Sequence, residues 1–283
     1  MRPRHRWLIT AALTVAVLGG LTAGAAAEEP LHYVALGDSS AAGPLIPNQD
    51  PNLACLRSDR NFPQVVADRL GARLTDVTCS GATTDDLAGR RFGFIPPQFD
   101  ALTPDTDLVT LSMGANDMEL GTAIPTCVNL LPPPAGLSCA QRFTAGGKDE
   151  LKARATATAP KIAAALAEIQ RRSPHATVIV TGYGTYTRPG GCWPSVPLYP
   201  ADADYVQASF GALSDMLRSQ SAAAGVTFVD LRDATVGHDM CAAATTRYYE
   251  PLVPTNGGVI YHPNARGMAA IAGLVVAAVP TAA

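Results

Sequence analysis

The sequence predicts an α/β fold, a parallel sheet with helices packed on both of its faces. Two observations predict it. Five short strand-like runs recur along the chain: LHYVAL from Leu31, Arg73 to Thr78, DLVTLSMG from Asp107, ATVIVT from Ala176 and VTFVDL from Val226. Segments with apolar residues near helical spacing separate them, and no linker or repeat breaks the series. Crossovers of this kind place every strand's C-terminal loop on one edge, so loops 37–43, 79–84, 114–118, 182–200 and 231–262 are expected to converge there.

The elements follow in order. After the first strand a Pro/Asn-rich loop runs to Asp59, and Phe62 to Leu70 reads as a helix closed by Gly71. The second strand leads into CSGATTDDL, which opens another helix with Thr83 or Thr84 available as its cap. Four prolines, several glycines and two cysteines make Leu120 to Gly147 an irregular excursion. Leu151 to Ile169 is the next helix. A loop holding Tyr183, Tyr186, Cys192 and Trp193 leads to a helix over Tyr205 to Ala224. The last helix follows Pro263 and reaches Val279, too short to span a membrane.

The first 27 residues are set apart from this series. Arg2, Arg4 and Arg6 precede an apolar stretch from Trp7 to Leu21 and an Ala25-Ala26-Ala27 end, the pattern of a secretory signal peptide. A retained membrane anchor ranks second, because the segment ends in small residues and not in a charged stop. Residues 28–283 then form one domain. Its 18 basic residues against 24 acidic ones give a net charge of −6, which argues against nucleic acid and anionic membrane surfaces as partners.

An exported chain with Cys55, Cys79, Cys127, Cys139, Cys192 and Cys241 favours disulfides over zinc, and no C-x-x-C pair exists. Of 15 possible pairings, the nearest-neighbour set (Cys55–Cys79, Cys127–Cys139, Cys192–Cys241) closes modest loops without crossings.

A serine nucleophile needs a base, usually histidine. His32 falls inside the first strand and His175 in a turn, so both read as structural. His238 lies in a long loop, and His262 stands in IYHPN at the mouth of the last helix. Ser39 follows Gly37-Asp38 at a strand end, Gly81 sits in a tight turn and Asn116 follows Gly114-Ala115. The Ser39 and Gly81 amides and the Asn116 side chain are the donor types of an oxyanion hole.

With ALGDSSAAG, CSGATT, SMGANDM and YHPNARGM in that order, the chain resembles the SGNH hydrolases, also called GDSL esterases and lipases, particularly the secreted bacterial branch with three disulfides. The resemblance implies a flavodoxin-like three-layer α/β/α sandwich. It implies Ser39 as nucleophile, Gly81 and Asn116 as oxyanion donors beside the Ser39 amide, and His262 as general base. No cofactor or metal is expected, and the implied protein is a secreted monomer acting on small-molecule or lipid esters.

The chain departs from the family pattern in three places. Ser40 and Ala41 follow the nucleophile where Leu or Tyr and then Ser are usual, which leaves two adjacent hydroxyls. Ala115 replaces a glycine. Val259 stands where many members carry the aspartate that orients the histidine, so the expected substitute is a main-chain carbonyl near Val259, with Asp239 as the other candidate. Phe92, Phe94, Phe99, Leu130, Leu131, Tyr183, Tyr186, Trp193 and Tyr199 offer apolar material for an acyl groove. Two other readings compete: a flavin- or phosphate-binding module built on the first loop, and an SGNH-shaped surface protein that no longer turns over.

Overall fold

Strand β1 (His32–Gly37) sends Tyr33 and Ala35 to one face of the sheet and Val34 and Leu36 to the other, and all four are buried. Such two-sided burial requires cover on both faces, which the rest of the chain supplies. In the computed structural model, which describes residues 29–280, β1 lies second in a five-stranded sheet of order β2-β1-β3-β4-β5 with every pair parallel. The other strands are β2 (Arg73–Asp76), β3 (Leu108–Ser112), β4 (Thr177–Thr181) and β5 (Thr227–Val229). The expected leader, residues 1–27, lies outside the described residues.

Helices α2 (Phe62–Leu70) and α8 (Ala265–Ala278) cover the face of Tyr33 and Ala35, with Phe62, Val66, Met268, Ile271 and Val275 in one cluster with them. The opposite face is covered by α6 (Glu150–Arg172) and α7 (Pro200–Ala224), through Ile162, Leu166, Val206, Leu213 and Leu217. Burying each of these large side chains stabilises the layers by about 1.5–3 kcal/mol before entropic costs. The result is a three-layer α/β/α sandwich. Its strand order reverses between β1 and β3, and in open parallel sheets the crevice beyond the strand ends at such a reversal is where ligands bind.

Local signals explain the element ends. Asn61 caps α2 by accepting from Gln64 N–H, Pro63 sits in the first turn, and Gly71 ends the helix in the left-handed region at φ 63°. The α7 helix begins at Pro200, five residues before the expected Tyr205, because proline at its start is helix-compatible while Pro-Ala-Asp shows no apolar stripe. The excursion over 120–147 contains two single turns, α4 (Leu120–Ala123) and α5 (Cys139–Phe143). Thr84 precedes α3 (Asp85–Ala88) but does not cap it with its side chain. Its hydroxyl donates instead to Asp117.

Disulfides join Cys55 to Cys79, Cys127 to Cys139 and Cys192 to Cys241, and none of the described cysteines is free. Among the described residues, no helix is long and apolar enough to cross a membrane.

Candidate active site

Ser39 opens α1 (Ser39–Ala42), a single helical turn that follows β1 directly. The turn is tight because Gly37 lies against β3: a Cβ there would stand 2.7 Å from the Ser112 carbonyl oxygen. Asp38 caps the turn, its buried carboxylate accepting from Ser40 N–H at 2.7 Å and from the Tyr183 hydroxyl at 3.1 Å. Burial pushes the Asp38 carboxyl up to about 6, against the pull of these donors. A buried carboxylate beside this turn is an unfavourable neighbour for a bound phosphate.

His262 comes from the far end of the chain, two residues before Asn264, the N-cap of α8. Its Nε2 lies 2.7 Å from Ser39 Oγ, and its Nδ1 lies 2.8 Å from the Ile260 carbonyl oxygen. A carbonyl only accepts, so Nδ1 carries the hydrogen and Nε2 presents its lone pair to the Ser39 hydroxyl. The orienting group is thus main-chain and one residue beyond Val259. Asp239 has no part in it: its buried carboxylate pairs with Arg188 at 3.1 Å and accepts from Cys241 N–H. Burial holds the His262 pKa below its ordinary value, although the Ile260 carbonyl pulls it the other way.

Gly81 takes φ +77°, a left-handed value that glycine adopts without strain. Among the described residues, no oxygen of the protein accepts from the Ser39 or Gly81 amide. Asn116 Nδ2 donates one hydrogen to the Ala82 carbonyl at 2.9 Å, which fixes the amide and leaves its second hydrogen available. Asp117 draws the same two loops together, accepting from Thr84 N–H at 3.0 Å and from the Thr84 hydroxyl.

All five expected loops contribute to one cavity of about 460 Å³. Ser39, Gly81, Asn116 and His262 line it, and Leu56, Leu120, Ile124, Pro125, Phe210 and Val259 supply apolar wall. Of the side chains named for an acyl groove, only Tyr183 and Tyr186 line this space. Phe99 and Tyr199 are buried elsewhere, the Trp193 indole donates to the Asn129 carbonyl, and Phe92, Phe94, Leu130 and Leu131 face solvent. Ser40 also lines the cavity, but its hydroxyl makes no hydrogen bond to His262. The remaining histidines stand apart: His32 meets Arg73 at the sheet edge, His175 is exposed, and His238 stacks on Tyr248 at 3.9 Å.

Sequence reasoning missed Glu250. Its main chain pairs with the histidine segment, Glu250 N–H donating to the His262 carbonyl at 3.0 Å and Tyr261 N–H to the Glu250 carbonyl at 2.8 Å. Its buried carboxylate accepts from Asn264 Nδ2 and Thr255 N–H, both at 2.7 Å, and from Asn256 Nδ2 at 2.9 Å. Burial acts to raise the Glu250 pKa, but these donors outweigh it and hold the carboxyl below its ordinary value. One residue therefore fastens both ends of the loop that contributes His262 and the carbonyl orienting it. A lone glutamate in a polar loop offers no sequence signal for this.

Comparison with known proteins identifies the family. Residues 35–270 match the model of the GDSL-like lipase/acylhydrolase family. Lipase 2 of Streptomyces coelicolor is 40% identical, over 94% of this chain and 94% of that protein. The crystal structure of an extracellular lipase from Streptomyces rimosus superposes with a TM-score of 0.75 at 26% identity, over 88% of this chain and all of that one. A phospholipase A1 from Streptomyces albidoflavus superposes with a TM-score of 0.73 at 25% identity, over 88% and 98%. The chain belongs to the GDSL-like lipase/acylhydrolase family, the SGNH carboxylic ester hydrolases.

Proposed function

We propose that the protein is a secreted serine esterase or lipase that cleaves fatty acyl esters through a covalent acyl-enzyme on Ser39. The carrying observation is the 2.7 Å contact between Ser39 Oγ and the unprotonated Nε2 of His262. In the first step Nε2 takes the hydroxyl proton as Oγ bonds to the ester carbonyl carbon. The carbonyl oxygen becomes an oxyanion, which the Ser39 and Gly81 amides and Asn116 Nδ2 receive. Collapse of this intermediate breaks the C–O bond, and the alcohol leaves with the proton from Nε2. A water molecule, deprotonated by His262, then attacks the acyl-enzyme and releases the acid.

The Ile260 carbonyl takes the orienting part that an acid plays in many relatives, making the pair a dyad. A neutral carbonyl holds the tautomer but stabilises imidazolium less than a carboxylate does. The apolar wall around Leu120, Ile124 and Phe210 suits an acyl chain better than a sugar. The leader pattern, the three disulfides and the extracellular S. rimosus relative support export.

The test is hydrolysis of p-nitrophenyl esters from C2 to C16, with Ser39→Ala beside the parent. The expected result is activity that rises with chain length beyond C2 and vanishes in Ser39→Ala. Preference for acetate overturns the fatty acyl assignment. No hydrolysis at any length favours the silent surface protein.

A further inference from the structure

Two exposed phenylalanine rings stand on a turn tied to the Ser80–Gly81 loop, and ester cleavage makes no use of them. The turn from Arg91 to Ile95 closes on itself through an antiparallel bridge, with Phe94 N–H and Ile95 N–H both donating to the Arg91 carbonyl. At its tip Phe92 and Phe94 are 61% and 62% exposed, their ring centroids 6.1 Å apart. Phe92 takes φ +53°, a left-handed conformation that bulky residues rarely adopt and that the surrounding bonds must hold.

The turn is tied to the oxyanion loop. The Arg91 guanidinium donates to the Ser80 carbonyl at 3.0 Å, pairs with Asp86 at 3.1 Å and lies 4.4 Å over the Phe92 ring. It lies so close to Gly81 that a Cβ there would meet it at 2.6 Å. Leu45 and Leu53 are exposed as well. They belong to the segment whose Pro44 and Leu56 line the cavity, and Ser80 N–H joins that segment by donating to the Cys55 carbonyl at 2.9 Å. Four large apolar side chains thus stand on two segments joined to the cavity wall, Leu45 and Leu53 on the segment of Pro44 and Leu56, and Phe92 and Phe94 on the turn that Arg91 ties to the Ser80–Gly81 loop.

We propose that this rim is an interfacial anchor, with Phe92 and Phe94 at its tip, that inserts into an uncharged or zwitterionic lipid surface. Such a surface presents acyl esters to the cavity beside it, so the proposal rests on the ester-hydrolase reading. Rings without hydrogen-bonding groups suit an apolar medium better than a polar protein partner. A net charge of −6 for residues 28–283 disfavours an anionic surface and leaves the rings to carry the attachment.

The test is flotation with phosphatidylcholine vesicles, using Ser39→Ala to prevent turnover, against the same protein carrying Phe92→Ser and Phe94→Ser. Soluble p-nitrophenyl butyrate hydrolysis by the Ser39-intact versions of both proteins reports that the fold is retained. The expected result is flotation of the first protein that is insensitive to salt, a partition coefficient at least ~10-fold lower in the second, and soluble-ester activity equal within about twofold. Absence of flotation, equal flotation of the two proteins, or binding confined to phosphatidylglycerol vesicles and abolished by salt would overturn the anchor. So would a concentration-dependent dimer of the parent that the phenylalanine substitutions dissolve. Ring-dependent flotation with no soluble-ester hydrolysis by either Ser39-intact protein supports the anchor while rejecting the ester-cleavage reading.

Discussion

The turn that holds Ser39 and the loop that holds His262 solve the same problem by different physics. Ser39 is placed by regular structure: β1 pairs with β2 and β3 on either side, Asp38 caps the single turn, and Gly37 permits the close pass against Ser112. His262 has no strand beneath it. It comes from the long connection between β5 and α8, held by the Glu250 carboxylate, by main-chain pairing with Glu250 and by the Asn264 cap. A side chain at the end of a strand paired on both sides inherits the rigidity of the core, whereas one on a loop is only as fixed as its polar fastenings.

The largest effects are expected from loss of the side chains proposed to act on the ester. His262→Ala is expected to lower kcat by ~10⁴- to 10⁶-fold. Asn116→Ala should cost ~10²- to 10³-fold, and its KM for the butyrate ester is expected to stay near the parent's. Steady-state kinetics of the two purified variants checks both.

Glu250→Gln sharpens the contrast, because it acts on one side only. The amide keeps one oxygen acceptor and turns an NH₂ toward groups that donate. It should destabilise the fold by about 2–4 kcal/mol and lower kcat by ~10-fold, with KM little changed. Asp38→Asn, the comparable change on the serine side, should cost less stability, since Asp38 is strained toward its neutral form. Denaturant unfolding beside kinetics separates the two. The Glu250 contribution also has a sign. A carboxyl held below its unfolded value stabilises above that value and loses the contribution as pH falls through its folded value, so the deficit of Glu250→Gln should shrink in acid.

The smallest expected effect is a shift of the pH profile. In the proposed role of base His262 must be neutral, and burial lowers its pKa. The acid limb of kcat/KM should therefore fall below the ordinary value of about 6.5. A limb above that value would mean that a carboxylate stabilises the imidazolium after all.

What was legible in the sequence divides along the same line. The α2 helix was readable because its pattern from Phe62 is closed by Gly71, a local signal that acts alone. The strands were readable as runs, though β5 is shorter than VTFVDL suggests because β4 pairs with only Thr227 to Val229. The convergence of five loops followed from parallel topology. Glu250, the Asp117 clamp on Thr84 and the turn of Phe92 were not legible, because each depends on residues that only the folded chain brings together. Which of the candidate apolar side chains line the cavity was not legible for a related reason. Aromatic content does not say which way a ring faces, and the cavity walls include Leu120 and Phe210, whose helices point them inward.

The central claim is that Ser39, and not its neighbour Ser40, attacks with His262 as its base. Inactivation with a p-nitrophenyl alkylphosphonate followed by peptide mass mapping tests it most directly. One adduct per chain on Ser39 is expected, with labelling suppressed in His262→Ala. An adduct on Ser40, or labelling of Ser39 that is indifferent to loss of His262, would contradict it.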